Sequence, residues 1–569
     1  MPLILLLNSS KSDNHLGSSH INVAAIMKRQ TNRLSSICFP QSVDHFSQPA
    51  DIDPETRSPL LERYHLELEK CSPRETWAGD AHQKSVPYPV LVTEAHQRQL
   101  AELSEALVLA ITDIVERWWS DDEARFPERM QLEPAEEKLL RVSLTLTQFS
   151  SFAKRLIIQW MQQLESHELR PFRACQGSWR PDFLLESSND PNGIENYRIC
   201  EINARFCWNG FLFTAFGQQA LLNMGLEQYG LKGATDPRKV LTGLKSLFDA
   251  SLPLHLVKGE EYGYDIHMIV PYAQHVLQMD VKVLPPESLR LVPAAAPGGY
   301  KLYCLSGADT KQSTIVNDAG ECLEEVHQLG VELHQRELLS MSFEMLQQIS
   351  LRCFNDMRTV LLVHDKRMLG LVREELNSLV ARNVLSCHQA GVLDRGLVHT
   401  IIPGSGKLEQ FVSRCQTEML IKNDYLLKPV RSGKGVGILF GDQATHEEWM
   451  GLLYGMRDPR LNQGRTTYVV QKQIQQQTYD VLLEEDAGVG SFPLIGTFHI
   501  TNGAFLGLGL WRSGPGRICA LSRGGAWMCS VVPAGVKTLS SWSHYWWSHL
   551  ASLSSLIPSY IRRGGSTLR

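Results

Sequence analysis

Two short apolar stretches each carry a pair of polar side chains whose spacing suits metal binding beside a phosphate. WRPDF contains Arg180 and Asp182, and CEINARF contains Glu201 and Asn203. Residues two apart on a β-strand share a face, so each pair points the same way. Carboxylate and amide oxygens are hard ligands of the kind that Mg²⁺ uses, and an arginine can hold a neighbouring phosphate oxygen. The alternative is a polar, hydrogen-bonded strand edge.

A glycine-rich loop between two apolar strands predicts an anion-binding element. In YLLKPVRSGKGVGILF, residues 425–440, Lys428 lies in the first predicted strand, and the loop contains Gly433 and Gly435. Glycines let backbone N–H groups approach phosphate oxygens closely, and a lysine adds a point charge. The residue order is not that of a Walker loop. The alternative is a β-hairpin with a flexible basic tip.

Three further stretches contribute candidate residues. VHDKRMLG places Lys366 where a strand is expected to end and a helix to begin, which is also typical of an ordinary charged helix start. YVVQKQI, residues 468–474, could turn a strand edge toward an adenine ring or be a plain core strand. FLGLGLWRSG contains Arg512 and LSRGG contains Arg523. Either arginine could stabilise charge on a transferring phosphoryl group or lie in solvent.

The periodicity of the chain indicates which elements must position these residues. After Thr93, a candidate N-cap, apolar residues recur every three or four positions as far as Trp118, which predicts a long helix. A second helix is predicted over about 136–168. RPDFLLE and YRICEINARF are predicted to be strands joined by the turn-rich SSNDPNG. Residues 215–345 alternate helical and strand-like patches, as an α/β domain does.

The second half of the chain is predicted to be richer in strands. Phe343 to Met357 has a helical pattern, TVLLVH (359–364) a strand pattern, and RMLGLVREELNSLVAR a helical pattern. From Asp424 onward, strand-like runs separated by glycine-rich turns predict an antiparallel sheet with few helices. Residues 3–7 are predicted to be a strand or an irregular start, and residues 8 to about 85 a loosely packed extension. The C-terminal stretch is predicted to be a frayed tail.

The composition excludes several classes of protein. The 569 residues include 56 Lys and Arg against 61 Asp and Glu, a formal net charge of −5, and 43% are hydrophobic. These values exclude a mainly disordered chain or a rod, and they provide no basic face for nucleic acid as a main partner. The twelve cysteines contain no Cys-x-x-Cys pair, which predicts reduced thiols in a cytoplasmic protein. No apolar run approaches the length of a membrane span.

Taken in order, the polar stretches resemble the motifs of an ATP-grasp ligase. More narrowly, they resemble the glutathionylspermidine synthetase-like branch, in which the metal-ligand strands precede the lysine-bearing strands. R-P-D and E-I-N come before D-K (365–366) and L-L-K-P (426–429), and V-V-Q-K-Q-I, G-T-F and G-x-G-x-W-R follow. The resemblance covers roughly residues 175–530. The insertion SSNDPNGIEN departs from the branch, and the first 170 residues match no known pattern, so the substrate specificity does not carry over.

The resemblance implies a role for each matching residue. The implied Mg²⁺ ligands are Asp182, Glu201 and Asn203, which are predicted to converge on one site facing Lys428, and the implied phosphate-side arginines are Arg180 and Arg512. The alternative for Glu201 is a structural salt bridge with an arginine, either Arg180 or Arg205. The residues implied to bind ATP are the two lysines, the loop glycines and an adenine hinge: Lys366, Lys428, Gly433, Gly435, Gln471, Lys472, Gln473 and Ile474.

The implied fold is α/β of the α+β kind, an ATP-grasp fold preceded by an N-terminal helical and α/β region. The expected order is an extension, a helical region ending in the metal-ligand strands, a pre-ATP-grasp domain, the ATP-grasp nucleotide-binding domain and a tail: residues 1–90, 91–215, 216–345, 346–540 and 541–569. The implied activity uses ATP and Mg²⁺ to join a small carboxylate to an amine, of an amino-acid-like or polyamine-like kind, through an acyl phosphate. A noncatalytic ATP-grasp-like binding protein and an ATP-dependent small-molecule kinase stay open as alternatives.

Overall fold

A computed structural model describes residues 34–37, 53–145, 170–187, 193–263, 265–307, 314–461, 465–483 and 488–535. The start predicted at residues 3–7, the predicted helix beyond residue 145 and the predicted C-terminal tail lie outside these ranges. The α-helices of the described residues are α1 (Pro54–Cys71), α2 (Glu94–Glu116), α3 (Phe126–Arg129), α4 (Pro134–Thr145), α5 (Phe211–Asn223), α6 (Pro237–Lys245), α7 (Ile266–His275), α8 (Gln335–Leu339), α9 (Phe343–Ser350), α10 (Arg367–Ala381), α11 (Cys387–Gly396), α12 (Gly406–Thr417) and α13 (His446–Gly455).

The β-strands of the described residues form five sheets. They are β1 (Ser35–Ser36), β2 (Val90–Leu91), β3 (Ser178–Glu186), β4 (Asn196–Asn203), β5 (Leu231–Gly233), β6 (Leu254–Lys258), β7 (Val281–Leu284), β8 (Leu289–Pro293), β9 (Tyr300–Leu305), β10 (Thr314–Val316), β11 (Cys322–Glu325), β12 (Leu329–Glu332), β13 (Thr400–Ile401), β14 (Tyr425–Pro429), β15 (Leu439–Phe440), β16 (Tyr468–Lys472), β17 (Thr478–Val481), β18 (Gly490–Thr501), β19 (Ala504–Ser513), β20 (Ala526–Met528) and β21 (Ser530–Pro533).

The largest sheet joins strands that are far apart in the sequence. Its order is β20-β19-β18-β3-β4, with β17 also paired to β18, and every pairing is antiparallel. The two strands predicted from RPDFLLE and YRICEINARF are confirmed as β3 and β4. This sheet therefore contains strands from two of the expected domain ranges, 91–215 and 346–540. The boundaries of those ranges stay a prediction.

A smaller antiparallel sheet carries the glycine-rich loop. Its order is β13-β16-β14-β15, and the loop connects β14 to β15. Residues 425–440 therefore form a β-hairpin, which was the alternative interpretation of this stretch. The second strand is shorter than predicted and begins only at Leu439. Gly435 and Gly437 have φ angles of +71° and +75°, which an extended strand does not contain.

The remaining sheets have mixed direction. Strands β12, β6 and β7 are parallel, as expected where helices connect neighbouring strands. The sheet β10-β11-β9-β8 is antiparallel, and β1-β2-β21-β5 combines both directions. The predicted α+β class is confirmed. No helix in the described ranges is both long and apolar enough to cross a membrane.

The long predicted helix is confirmed as α2. The Thr93 hydroxyl accepts the backbone N–H of His96 at 3.3 Å and caps the first turn. The apolar face, with residues such as Leu100 and Ile111, is fully buried. In contrast, residues 53–92 are not the loosely packed extension that was predicted. Helix α1 buries Tyr64, whose hydroxyl donates to the carbonyl of Gly217 at 3.5 Å.

The prediction of a strand at TVLLVH is wrong. Residues Thr359–Val363 form a single π-helical turn whose five side chains are all buried. A short, continuous apolar run looks the same in a buried strand and in a buried helical turn, because both bury every position. The helix predicted to follow is confirmed as α10, with Lys366 at its N-cap position.

Candidate active site

Strands β3 and β4 bring the predicted metal ligands to one face. In their register Asp182 pairs with Glu201, and Arg180 pairs with Asn203. Residues directly opposite each other across two strands project from the same face of the sheet. The amide nitrogen of Asn203 lies 3.5 Å from Glu201 Oε1. The structure therefore gathers all four side chains, as the strand spacing predicted.

Asp182 is held by two arginines. It is 1% exposed, and Arg180 donates to both of its oxygens, from Nε at 2.8 Å and from Nη2 at 3.2 Å. Arg512 on β19 donates to Asp182 Oδ2 from across β18. Although burial opposes ionisation of Arg512, the adjacent carboxylates Asp182 and Glu201 contribute to raising the pKa of Arg512. The two phosphate-side arginines thus share one carboxylate.

Glu201 is surrounded by positive charge. The Lys366 ammonium lies 3.7 Å from Glu201 Oε2. Burial acts to raise the pKa of Glu201, but Lys366, Lys428, Arg512 and Arg180 together lower it to about 2. The salt bridge that Glu201 makes in the described structure is therefore with a lysine, and the alternative partners Arg180 and Arg205 hydrogen-bond elsewhere.

Lys366 and Lys428 approach Glu201 from different elements. Lys366 follows the π-helical turn, and its ammonium donates to the carbonyl of Ser432 at 2.6 Å. Lys428 projects from β14 and is 8% exposed. Burial and the charge of Lys428 lower the pKa of Lys366, although Glu201 opposes the shift. Burial likewise acts against the charge of Lys428, but Cys200, Glu201 and Asp182 raise its pKa. Both lysines and Glu201 therefore form one interacting group.

The glycine-rich loop is anchored at its start. Arg431 donates to Glu133 at 3.2 Å and to Glu136 at 2.6 Å on the helical N-terminal region. A Cβ at Gly435 would collide with the side chain of Ile518, and φ is positive there, so glycine is required. Gly433 has open space around its Cα and no positive φ, so the geometry does not require glycine at that position.

Only the second half of the predicted adenine hinge, Gln473 and Ile474, lines the cavity. The Gln471 side chain is buried and donates to the carbonyl of Cys200 at 3.1 Å and to the Thr400 hydroxyl at 3.0 Å, so it joins the two sheets rather than bordering a cavity. The Lys472 side chain is exposed. Gln473 and Ile474 do line the cavity, and Gln473 is fixed by hydrogen bonds to backbone carbonyls of the β14 region.

A cavity of about 880 Å³ lies between the two antiparallel sheets. The candidate residues that line it come from β3, β4, β14, β19 and the loops: Arg180, Asp182, Glu201, Asn203, Lys428, Gly433, Gly435, Gln473, Ile474 and Arg512. Arg523 does not line this cavity and is exposed. The cavity has the size of a small-molecule site.

Sequence patterns missed several residues that line the cavity. Arg205 donates to the carbonyl of Arg431 at 2.8 Å, and burial together with Arg431 lowers the pKa of Arg205 to about 10. His364 accepts the backbone N–H of Ala204 at 3.3 Å, and burial, reinforced by Arg205, lowers its pKa. Both lie inside stretches already singled out, CEINARF and VHDKRMLG, but Arg205 was considered only as a salt-bridge partner of Glu201 and His364 was given no role. The acidic residues Glu261 and Glu332, which also line the cavity, follow no pattern in the sequence.

The side chains around Glu201 have the chemistry to bind Mg²⁺ and a nucleoside triphosphate. Two carboxylates and an amide oxygen provide hard ligands on one face. Two lysines and two arginines surround them, so positive charge exceeds negative charge where phosphates would lie. Glu201 is the better-placed ligand, because both Asp182 oxygens already accept guanidinium hydrogen bonds.

Comparison with known sequences identifies the class of protein as the ATP-grasp enzymes. A family model described as the AnkG N-terminal domain matches residues 103–362. The chain is 34% identical over 458 residues to the ATP-grasp enzyme ankG of Aspergillus thermomutatus, covering 79% of this chain and 89% of that relative. The chain belongs to this family of ATP-grasp enzymes.

A solved structure, a glutathione synthetase-like effector from Globodera pallida in apo form, aligns with a TM-score of 0.45 and 12% identity. The alignment covers 84% of this chain and 98% of that one.

Proposed function

We propose that the protein is an ATP-dependent ligase that joins a small-molecule carboxylate to an amine, with the motif order of the glutathionylspermidine synthetase-like branch. The observation that carries this proposal is the meeting of Glu201 and Lys428 in the wall of one cavity, with Lys366 beside Glu201 although it does not itself line the cavity. The Glu201–Lys366 distance is 3.7 Å, and Asp182 pairs with Glu201 across β3 and β4. Carboxylate ligands and buried lysines at one site are what binding of Mg²⁺ with ATP phosphates requires.

The reaction that we propose has two balanced steps. A carboxylate oxygen of the acid substrate bonds to the γ-phosphorus of ATP while the bond from that phosphorus to the β–γ bridging oxygen breaks, which releases ADP. The amine nitrogen then bonds to the carbonyl carbon of the acyl phosphate, the bond from that carbon to the phosphate oxygen breaks, and the nitrogen loses a proton. The products are an amide, ADP and inorganic phosphate.

The chain contributes mainly position and charge. Lys366, Lys428 and Arg512 would hold phosphate oxygens, and Arg180 would keep Asp182 oriented. Bound Mg²⁺, held by Glu201 with Asn203 and Asp182, would neutralise phosphate charge. The reaction needs no side-chain nucleophile. We also propose a cytoplasmic location, because the described cysteines are all free thiols.

An isotope experiment tests the proposal directly. The full-length protein is incubated with ATP, Mg²⁺, and pools of amino acids and polyamines, and ADP release is measured with each pool alone and together. The acid found active is then labelled with heavy oxygen in its carboxylate. The proposal predicts one labelled oxygen in inorganic phosphate and a product whose mass is the sum of both substrates less one water.

Other outcomes would contradict the proposal. Label in AMP would indicate an acyl adenylate instead of an acyl phosphate. ADP release that needs only a hydroxyl-bearing acceptor would indicate a small-molecule kinase, and ATP binding without turnover on any pool would favour a noncatalytic binding protein. Lys428→Ala serves as the control that links turnover to this cavity.

A further inference from the structure

Three further carboxyl groups gather at one part of the cavity wall, here called the acidic end. Glu261, Asp265 and Glu332 are 9%, 0% and 1% exposed. Glu261 and Glu332 line the cavity. Burial, reinforced by the charges of Asp265 and Glu261, raises the pKa of Glu332 to about 8. The three groups are therefore close enough to repel one another when ionised.

Glu332 and Asp265, the two most deeply buried of these groups, form no salt bridge among the described residues, although the charge of Arg180 acts to lower the pKa of Asp265 against the effect of burial. Glu332 Oε1 accepts the backbone N–H of Trp208 at 2.9 Å and the thiol of Cys207 at 3.3 Å. Asp265 Oδ2 accepts the backbone N–H of Leu212 at 3.1 Å, whereas the buried Asp265 Oδ1 accepts no hydrogen bond in the described structure. Buried carboxylates are costly unless a positive charge or a proton compensates them. A proton provides this compensation for Glu332 in the free protein, because its pKa is about 8, and a bound cation would take the place of that proton.

An ammonium group already reaches this acidic end. Lys434 belongs to the glycine-rich loop, and its Nζ donates to Glu261 Oε1 at 2.7 Å. The other Glu261 oxygen lies 3.2 Å from His334 Nε2. The Lys434 side chain is 55% exposed, so the contact is screened by solvent and holds the loop weakly. The acidic end therefore has the geometry to accept an ammonium, and the one it holds can be displaced.

We propose that Glu261 and Glu332, with Asp265 behind them, form the subsite for the ammonium group of the amine substrate, and that Lys434 holds this position until that substrate binds. The inference rests on the proposed function, because a ligase of this kind needs an amine substrate. The ammonium group held here would be a second, non-reacting group of that substrate, since the nitrogen that attacks the acyl phosphate must be neutral and lie beside it. Displacement of Lys434 by the amine would free the loop that also contacts Lys366 beside Glu201. The substrate would then be an amine that is cationic at neutral pH.

Calorimetry with simple amines tests this subsite. Putrescine and ethylamine are titrated into the full-length protein, with butyrate as an anionic control. At least one amine should bind saturably. Glu332→Gln and Glu261→Gln should each weaken that binding about tenfold or more, since each removes a charge-assisted hydrogen bond while preserving shape. Glu260→Gln is the matched control and should have no effect, because Glu260 pairs with Arg336 at the surface.

The Lys434→Ala variant tests the second part of the inference, that Lys434 occupies the subsite until the amine binds. The variant should bind the amine more tightly than the wild type, because the competing ammonium is gone. Circular dichroism and melting curves confirm that each variant is folded, and Glu261→Gln, at a less buried position, remains informative if Glu332→Gln does not fold.

The inference is overturned if neither amine binds, if binding survives both carboxylate variants, or if Lys434→Ala weakens it. Titration of ATP with Mg²⁺ on the same samples distinguishes the two proposals. A wild-type protein that binds amine but not ATP contradicts the proposed function. One that binds ATP, with amine binding unaffected by the variants, contradicts only the subsite.

Discussion

In one part of the cavity wall, Lys428 and Arg512 lie near the carboxylate of Glu201, which Lys366 also approaches from outside the lining, whereas Glu261 and Glu332 lie together in another part. The surplus of positive charge lowers the pKa of Glu201 to about 2, and the surplus of negative charge and burial raise that of Glu332 to about 8. Two glutamates that line one cavity thus have pKa values shifted in opposite directions. The difference supports the proposal that phosphate binds in the first part and an ammonium group in the second.

The glycine-rich loop connects these two parts of the cavity wall. Its Ser432 carbonyl accepts the Lys366 ammonium, and its Lys434 ammonium donates to Glu261. A ligand in either part therefore changes a contact of the same short segment. The following variants test each part and this connection.

The largest effect is expected for Glu201→Gln. The substitution preserves shape and removes the charge that would hold Mg²⁺, so ADP release should fall on the order of a hundredfold. The melting temperature of the variant is measured on the same sample. A structural salt bridge with Lys366 as the main role of Glu201 predicts the reverse, a lower melting temperature with normal activity per folded molecule.

A smaller but clear effect is expected for Lys428→Ala, near Glu201. Loss of a charge-assisted phosphate contact costs about 1.5–3 kcal/mol, so ATP affinity in calorimetry should fall about tenfold or more. Lys407→Ala, at a solvent-exposed lysine near Glu374, is the control and should leave ATP affinity unchanged. Undiminished affinity in both Lys428→Ala and Lys366→Ala would contradict the assignment of the nucleotide site.

The two loop glycines offer a matched pair. Gly435→Ala places a side chain at φ +71° against Ile518, so the free energy of unfolding in urea should fall by about 1–2 kcal/mol. Gly433→Ala meets open space and should change that free energy by less than about 0.5 kcal/mol. Equal effects of the two substitutions would mean that the loop geometry described above does not persist in solution.

A separate effect is expected in the pH dependence of stability. Because the pKa of Glu332 is raised from 4.5 to about 8 in the folded protein, the folded state binds more protons than the unfolded state between these values. Stability should therefore fall as pH rises through that window. Glu332→Gln should make the melting temperature less dependent on pH from 5 to 8, with a residual slope from Asp265, whose pKa burial raises to about 6. An unchanged slope would show that Glu332 does not titrate there.

Local patterns predicted the elements around Glu201. The alternation in CEINARF placed Glu201 and Asn203 on one face, and the strand ladder of β3 and β4 has that arrangement. The cap and the apolar period after Thr93 defined the start of α2 within one residue. These features depend on neighbours along the chain, so sequence spacing is enough to predict them.

Other features depend on contacts between distant segments. The Gln471 side chain matched a hinge motif, yet it hydrogen-bonds to Cys200 and Thr400 and turns away from the cavity. The buried run at 359–363 became a helical turn instead of a strand, because burial on all sides removes the periodicity that distinguishes the two.

The sequence by itself determined the residue types and the faces on which they lie: two acids and an amide on paired strands, a lysine at a strand end, and a lysine at a helix start. Only the tertiary structure decided which charges meet. Packing of two sheets brought Lys428 to Glu201, and Glu332 at the end of β12 meets Glu261 and Asp265 from the segment before α7. Electrostatic interaction depends on distance in space and on burial, and neither follows from spacing along the chain.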